Sequence, residues 1–387
     1  MKSVELFAGA GGLGIGVSEA GFRPVQIVEW DKWCCDTIEQ NRSKKVHAVR
    51  DWPEPTLGDI RPIDFRHLAG SVDLVTGGPP CQPFSMGGKH RAFDDKRDMW
   101  PQAVRVVREI RPKAFIFENV KGMTRAAFAT YFSYIELQLH HPAILRREGE
   151  DWRDHFGRLQ QHHTSDEKIP PEYKVVAQVL NSADYGVPQK RERVIFVGFR
   201  SDLKIAWKFP QPTHSADRLL WDKYRTGEYW DRHQIASANR QTSELERSRA
   251  ERLRDRPISE AWQTVRDALS KYGEPTETGT GRFRNHKLQL GARSYPGHTG
   301  SPLDQPAKTL KAGVHGVPGG ENMLVRPDGS VRYFSVRESA ALQTFPDQYE
   351  LRGSWSEAMR QLGNAVPVKL AKSIASDVRR NLEGVNG

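Results

Sequence analysis

The chain has 387 residues, 37% of them hydrophobic, and 58 Lys and Arg against 48 Asp and Glu give it a net charge of +10. This length can bury a large core and suggests roughly two to three domains, and the basic excess favours a polyanionic partner without identifying one. Three cysteines exclude a disulfide framework, and no apolar run approaches the ~18 residues of a spanning helix.

Further expectations follow from the same composition. Cys34 and Cys35 are adjacent, which is not a zinc pattern, so no structural metal is expected. Lys2 leads straight into a strand rather than a signal-peptide core, so a soluble, cytoplasmic protein with no membrane contact is expected.

Residues 1–120 alternate short apolar strands with helical patterns. Strands are expected at Val4–Phe7, Val25–Glu29, Val72–Thr76 and Ala114–Glu118, and helices near 14–20, 31–41 and 98–110. This alternation implies an α/β fold with a mostly parallel sheet. The segment 140–171 is polar and rich in histidine (His140, His141, His155, His162, His163) and reads as an insertion or mobile loop, with spacings that do not form a metal motif. Strands are expected again at Val175–Leu180 and Val194–Phe199.

The character changes after Phe209. Residues 210–331 are polar, with aromatics among charges and a helix-like run from Ser243 to Arg256. Arg282, Arg284, Lys287 and Arg293 gather beside Phe283 and Tyr295, in a stretch from Thr278 to Leu303 that has no acidic residue. Basic side chains interleaved with aromatics and glycines suit a nucleic-acid surface, and a solvated irregular region is the plainer alternative. Regular patterns return from Val331, with helices near 335–342 and 355–384. The chain therefore divides at 1–209, 210–331 and 332–387.

Five short motifs carry chemistry. Phe7-Ala8-Gly9-Ala10-Gly11-Gly12-Leu13-Gly14 links the first strand to the first helix, where glycines allow a tight turn and a helix N-terminus offers free N–H groups. Glu29 closes the second strand about 20 residues after Gly9, the place for an acid that grips a ribose. A nucleoside-containing cofactor follows, and the pattern leaves a dinucleotide and S-adenosylmethionine both open.

Cys81 sits in Gly77-Gly78-Pro79-Pro80-Cys81-Gln82-Pro83-Phe84-Ser85, on a proline-stiffened turn after an apolar strand. Rigid presentation at the carboxyl edge of a sheet suits a nucleophile better than core packing. Glu118-Asn119-Val120 ends another apolar strand, where partial burial favours a protonated carboxyl. Gln189, Arg191 and Arg193 alternate along one face before a further strand. Gly363-Asn364-Ala365-Val366 forms a turn that opens the last helix.

In this order, the motifs resemble those of the DNA (cytosine-5) methyltransferases. The resemblance covers residues 1–209 and about 330–387, and the segment between falls where that family keeps its variable target-recognition domain. It implies an S-adenosylmethionine-dependent, Rossmann-like α/β domain at 1–209, target recognition at 210–331, and a C-terminal segment, 332–387, that packs back onto the catalytic domain. Cys81 matches the nucleophile that adds to cytosine C6, and Glu118 the acid that holds N3 and the exocyclic amine. Arg191 matches an arginine supporting the base, flanked by Gln189 and Arg193, with Asn119 bracing the site.

The resemblance also implies ligand contacts. Phe7, Gly9, Gly11, Gly12, Glu29, Trp30, Asp59, Ile60, Pro79, Asn364 and Val366 are the expected contacts of S-adenosyl-L-methionine and its product S-adenosyl-L-homocysteine. Ser85, Lys89 and Arg91 match a loop that closes on double-stranded DNA around a flipped-out base. Arg282, Arg284, Lys287, Arg293 and Thr309 are expected at the DNA. The resemblance is to the prokaryotic members, usually one half of a restriction–modification pair, so a monomer is expected, with a cognate restriction endonuclease that would act separately.

Three competing readings are weaker. A nicotinamide-dependent oxidoreductase explains Gly9, Gly11, Gly14 and Glu29 but not the proline-flanked Cys81. A transfer-RNA cytosine methyltransferase would carry a second cysteine motif in the later half, and every cysteine here precedes residue 82. A non-catalytic DNA-binding homologue would have no chemical reason to retain Cys81, Glu118 and Arg191 together.

Overall fold

A computed structural model of the chain describes residues 1–80, 98–279, 281–296, 299–312 and 322–385. The chain divides into two compact units, one of residues 1–180, 192–210 and 371–387, the other of 181–191 and 211–370.

The first unit runs β1 (Lys2–Leu6), α1 (Gly12–Glu19), β2 (Arg23–Glu29), α2 (Lys32–Ser43), β3 (Thr56–Leu57), β4 (Leu74–Gly77), α3 (Trp100–Ile110), β5 (Ala114–Val120), α4 (Ala129–His140), α5 (Trp152–His163), β6 (Tyr173–Asn181) and β7 (Glu192–Arg200). The strands form one sheet of order β3-β2-β1-β4-β5-β7-β6. β1, β2, β3, β4 and β5 pair in parallel, and β7 runs antiparallel to β5. Helices cover such a sheet on both faces, which is why Leu74, Val75 and Thr76 of β4 and Ala114, Phe115, Ile116 and Phe117 of β5 are all buried.

The chain steps outward from β1 to β2 and β3, then returns to the other side of β1 to begin β4. The crevice between the carboxyl ends of β1 and β4 is therefore the switch point, where open α/β sheets hold ligands. Strand separation is tight there. Leu6 pairs with Gly77, and a Cβ on Gly77 would stand 2.6 Å from the Leu6 carbonyl oxygen, so only glycine fits.

Beneath this edge lies a core of Val4, Leu6, Val75, Trp100, Phe115, Phe117 and Phe196. The Trp100 ring meets Phe196 edge-on at 5.2 Å and Phe117 at 6.0 Å, the offset geometry that aromatic quadrupoles favour.

The segment 140–171 is not a loop throughout, since Trp152–His163 within it forms a helix, α5. Asp151 caps α5 by accepting the Arg153 N–H, and Trp152, Phe156 and Leu159 recur at helical spacing to pack against the core. The polar composition of the other face hides that narrow stripe in the sequence. α4 precedes it and was not among the helices expected from periodicity.

In the second unit, β8 (His214–Ser215) leads to α6 (Ala216–Tyr224), α7 (Glu228–Arg232) and α8 (Glu244–Glu251), then β9 (Glu260–Ala261) and α9 (Val265–Leu269). β10 (Ser301–Pro302), β11 (Met323–Val325) and β12 (Val331–Tyr333) form a small sheet, followed by α10 (Val336–Leu342), α11 (Trp355–Asn364) and α12 (Val368–Glu383). The expected 243–256 helix is shorter, with Ser243 as its cap. The expected 355–384 helix is two, because Pro367 lacks an N–H and disfavours a helical residue before it.

From Ala371 onward α12 belongs to the first unit. Arg379 donates to the Ala20 carbonyl at 3.1 Å, and Asp377 accepts the Trp207 indole N–H at 2.7 Å.

One carboxyl is sealed inside the sheet. Glu5 is 2% exposed and accepts hydroxyl protons from Ser3, at 2.8 Å, and from Thr76. Burial raises its pKa above the ordinary 4.5, and the two hydroxyls oppose that shift. A raised folded-state value binds the proton more tightly in the native state, so this stabilisation is complete below 4.5 and is lost as pH rises through the folded value. Glu5→Gln, neutral at every pH, is expected to raise Tm at neutral pH and to reduce its fall as pH rises above the ordinary 4.5. Calorimetry at a series of pH values from 4.5 upward checks this, and an unchanged pH slope would contradict it.

Candidate active site

The loop after β1 folds through three left-handed positions: Phe7 at φ 51°, Gly9 at 53° and Gly11 at 86°. Gly11 caps α1 from that conformation, with Gly12 as the first helical residue. Glu29, at the end of β2, holds this loop. Its Oε2 accepts the Gly9 N–H at 2.7 Å, and its Oε1 accepts the N–H groups of Trp30 at 2.9 Å and Asp31 at 2.8 Å. The side chain is buried, and burial raises its pKa while the backbone donors pull it down.

Neighbouring residues frame the same crevice. Trp30 stands 75% exposed next to Glu29, a large apolar face left in solvent. Phe7 is half-buried and packs on the core. Asp59 is paired with Arg61, whose Nε lies 2.8 Å from Oδ2, and this pair lowers its pKa. The Ile60 side chain lies in the core and its carbonyl accepts Arg105 Nη2 at 2.9 Å, so it has no exposed face to offer a ligand.

At the ends of β4 and β5 a second cluster forms. Asn119 donates its side-chain N–H to the Pro79 carbonyl at 2.9 Å and accepts the Val120 N–H at 2.9 Å. The strand end is thus tied to the backbone two residues before Cys81. Gly78 is part of the arrangement, since a Cβ there would lie 3.1 Å from Glu118 Oε2. Its sequence neighbours do not disclose this role, which only the β4–β5 pairing reveals.

Glu118 is buried, and its Oε1 lies 2.7 Å from Arg193 Nε. The antiparallel register explains the pair: Glu118 stands opposite Ile195, so Arg193 is its diagonal neighbour on the same face. Burial lowers the pKa of Arg193, and the Glu118 charge counters it. The guanidinium likewise favours the charged carboxylate, against the protonated form expected from burial alone. Cys81, Ser85, Lys89 and Arg91 lie outside the described residues.

The second unit gathers the other expected residues. Arg191 is 0% exposed and donates to two backbone carbonyls, Leu310 O at 3.0 Å and Gly363 O at 2.6 Å. Gln189 Oε1 accepts the Leu310 N–H at 3.1 Å. These side chains brace the 310–312 strip and the turn before Asn364. Gly363 has no room for a side chain, because a Cβ would come 2.2 Å from the Ala312 nitrogen. Asn364 is exposed and Val366 buried.

The basic candidates differ among themselves. Thr309 donates its one hydroxyl proton to the Lys190 carbonyl at 2.7 Å, so a phosphate contact from that hydroxyl would require this bond to break. Arg282, Arg284, Lys287 and Arg293 are all exposed. Among the described residues none of the four is held in an ion pair, and Arg282 lies over the Phe283 ring at 5.1 Å.

A sheet of this strand order, with an antiparallel strand beside β5 and an acid-clamped glycine loop at the switch point, is that of the S-adenosylmethionine-dependent methyltransferases. Residues 1–141 and 163–380 match the C-5 cytosine-specific DNA methylase family, and the chain belongs to it. It is 33% identical over 388 residues to the type II methyltransferase M.PspPI of Psychrobacter sp. (strain TA137), covering 98% of this chain and 79% of that protein. M.FnuDI of Fusobacterium nucleatum is 30% identical, covering 99% and 95%. The S. pombe Dnmt2 methyltransferase shares the fold at a TM-score of 0.58 with 16% identity, over 100% of both chains.

The protein is accordingly a DNA (cytosine-5) methyltransferase that transfers a methyl group from S-adenosylmethionine to C5 of a cytosine through a covalent cysteine adduct. Among the described residues no helix is long and apolar enough to cross a membrane.

The Glu118–Arg193 pair generates a prediction. Removing one partner strands the other charge in a mostly buried site, at a cost of about 3–5 kcal/mol. Glu118→Gln and Arg193→Met are therefore each expected to destabilise strongly, and the double variant to lose less than the sum. Urea unfolding of the four proteins measures the coupling, and additive losses would show that the pair is not an energetic unit.

Proposed function

We propose that Cys81 is the nucleophile and that Glu118, Asn119 and Arg193 form the pocket that receives the flipped cytosine. The observation that carries this reading is the Asn119–Pro79 tether beside the Glu118–Arg193 pair, immediately before Cys81 in the chain. The other cysteines are poor rivals: Cys34 and Cys35 are buried in α2, and burial pushes the Cys35 thiol up to about 12.

Cytosine C5 is a weak nucleophile. In the proposed sequence the Cys81 thiolate adds to C6, and the displaced electrons reach N3, where a proton is taken up. Glu118 holds N3 and the exocyclic amine, and Arg193 fixes the carboxylate's orientation. C5, now enamine-like, takes the methyl group. A base then removes the C5 proton, Cys81 departs from C6 as the thiolate, N3 gives back the proton it took up, and the aromatic ring is restored as 5-methylcytosine.

S-adenosylmethionine supplies the electrophilic methyl group. The β1–α1 loop and the β2 end fit it: Glu29 is fixed by three N–H groups, and Trp30 presents an open aromatic face. Gly9, Gly11 and Gly12 let the backbone approach, Glu29 addresses the ribose, and Trp30 packs on the adenine. Phe7, Asp59, Pro79, Asn364 and Val366 are the further contacts. Ile60 acts through its backbone N–H, since Arg105 holds its carbonyl and its side chain lies in the core. Arg191 and Gln189 work as braces of the second unit.

The recognition role falls to residues 210–331, with Arg282, Arg284, Lys287 and Arg293 at the DNA and Ser85, Lys89 and Arg91 on the closing loop. The supporting observation is exposure of four cations in a stretch without acids. The enzyme works as a cytoplasmic, nucleoid-associated monomer that modifies one short double-stranded sequence, with a cognate restriction endonuclease acting separately.

Two experiments check these assignments. In a host lacking cytosine methylation, wild type should place 5-methylcytosine within one short motif, and Cys81→Ser should place none. Single-base genome mapping reads this, and methylation by the variant would remove Cys81 from the mechanism. For DNA binding, the double variant Arg282→Ala/Arg284→Ala should reduce the slope of log affinity against log salt by about 1 for each phosphate that is no longer neutralised, with S-adenosylmethionine affinity unchanged. A wild-type slope would place these arginines away from the phosphates.

A further inference from the structure

We propose that His141, His162 and Glu172 bind one transition-metal dication of the zinc class, which fastens the α5 insertion to the first unit. The three residues come from separate elements: the end of α4, the last turn of α5, and the residue before β6. Their donor atoms all lie within 4.8 Å of one another. His141 Nδ1 and His162 Nε2 each stand 3.3 Å from the same Glu172 oxygen, Oε1. Ligand atoms bound to one tetrahedral zinc at about 2.0–2.1 Å sit about 3.3–3.4 Å apart, so two edges already have coordination spacing.

The surroundings favour a cation there. His141 Nδ1 is buried and has no hydrogen-bond partner among the described residues. Its other nitrogen, Nε2, lies 2.8 Å from His163 Nδ1, the kind of outer contact that fixes the tautomer of a metal-bound imidazole. Lys168 approaches the other Glu172 oxygen, Oε2, at 3.9 Å and leaves Oε1 to the two imidazoles. His155 on the same helix is different: the Tyr134 hydroxyl and the Ile144 carbonyl occupy its two nitrogens, as in an ordinary core histidine.

None of the three residues is among those assigned to methyl transfer or to its cofactor. The family match stops at 141 and resumes at 163, so His162 lies in a segment outside the family pattern. Spacing along the chain could not reveal it, because α5 separates the two histidines and the third ligand is a carboxylate from beyond the histidine cluster.

The test uses the full chain stripped of metal by a chelator and titrated with Zn2+ alone. Calorimetry should give one ion per chain, and Zn2+ should raise Tm. Co2+ should give tetrahedral d–d bands without thiolate charge transfer. His162→Gln and Glu172→Gln should each weaken Zn2+ binding at least about tenfold and abolish the Tm rise, with methyl transfer retained. Binding well below one ion per chain, thiolate charge transfer, or unchanged affinity in Glu172→Gln would overturn the proposal. Glu172→Gln decides the matter should His162→Gln fail to fold.

Discussion

The pairing of Glu118 with Arg193 is the constraint on which the site's chemistry depends. A carboxylate at the end of a buried strand is costly unless an opposite charge meets it, and a neutral carboxyl there would be free to rotate. The sheet supplies the partner by topology. β7 enters antiparallel beside β5, so a residue near its start comes back alongside the carboxyl end of a parallel strand. An all-parallel sheet would place the amino end of every strand on the opposite edge. The one reversed strand thus brings a guanidinium to the edge where the chemistry is done.

The same edge uses backbone groups where it lacks side chains. Glu29 draws three N–H groups around one carboxylate and through that of Gly9 ties the glycine loop to the end of β2, while the Asn119 amide fixes the Pro79 carbonyl. Gly77 and Gly78 leave space on either side, one for the Leu6 backbone and the other for the Glu118 carboxylate. Each of these hydrogen bonds is modest, about 0.5–3 kcal/mol depending on charge. Together they preorganise loops that would otherwise sample many conformations, which is the larger requirement for positioning a nucleophile against a small ring.

Much of this was legible in the sequence, for physical reasons that differ by residue. Strands β4 and β5 are buried on both faces and read as apolar runs, whereas β1 carries Ser3 and the buried Glu5 between its apolar residues. The Phe7–Gly14 and Gly77–Ser85 segments are legible because glycine and proline have distinctive conformational preferences. Alternation places Arg191 and Arg193 on one face, and the motif match puts the base-supporting role on Arg191. Only the structure shows Arg193 beside Glu118 and Arg191 on backbone carbonyls of the second unit. α5 was missed because its apolar stripe is narrow, and Glu29's hold on the loop because it acts on main-chain atoms that carry no residue identity.

The central claim, that the β4 edge presents Cys81 to C6 of a cytosine held by Glu118, is tested most directly by trapping the adduct. Duplex DNA carrying 5-fluorocytosine at the methylated position cannot lose fluorine as it would a proton, so the enzyme should stay covalently bound after methyl transfer. Peptide mapping of that complex by mass spectrometry should find the modified base on Cys81. A stable complex mapped to Cys34 or Cys35, or no covalent complex from an enzyme active on ordinary DNA, would contradict the account.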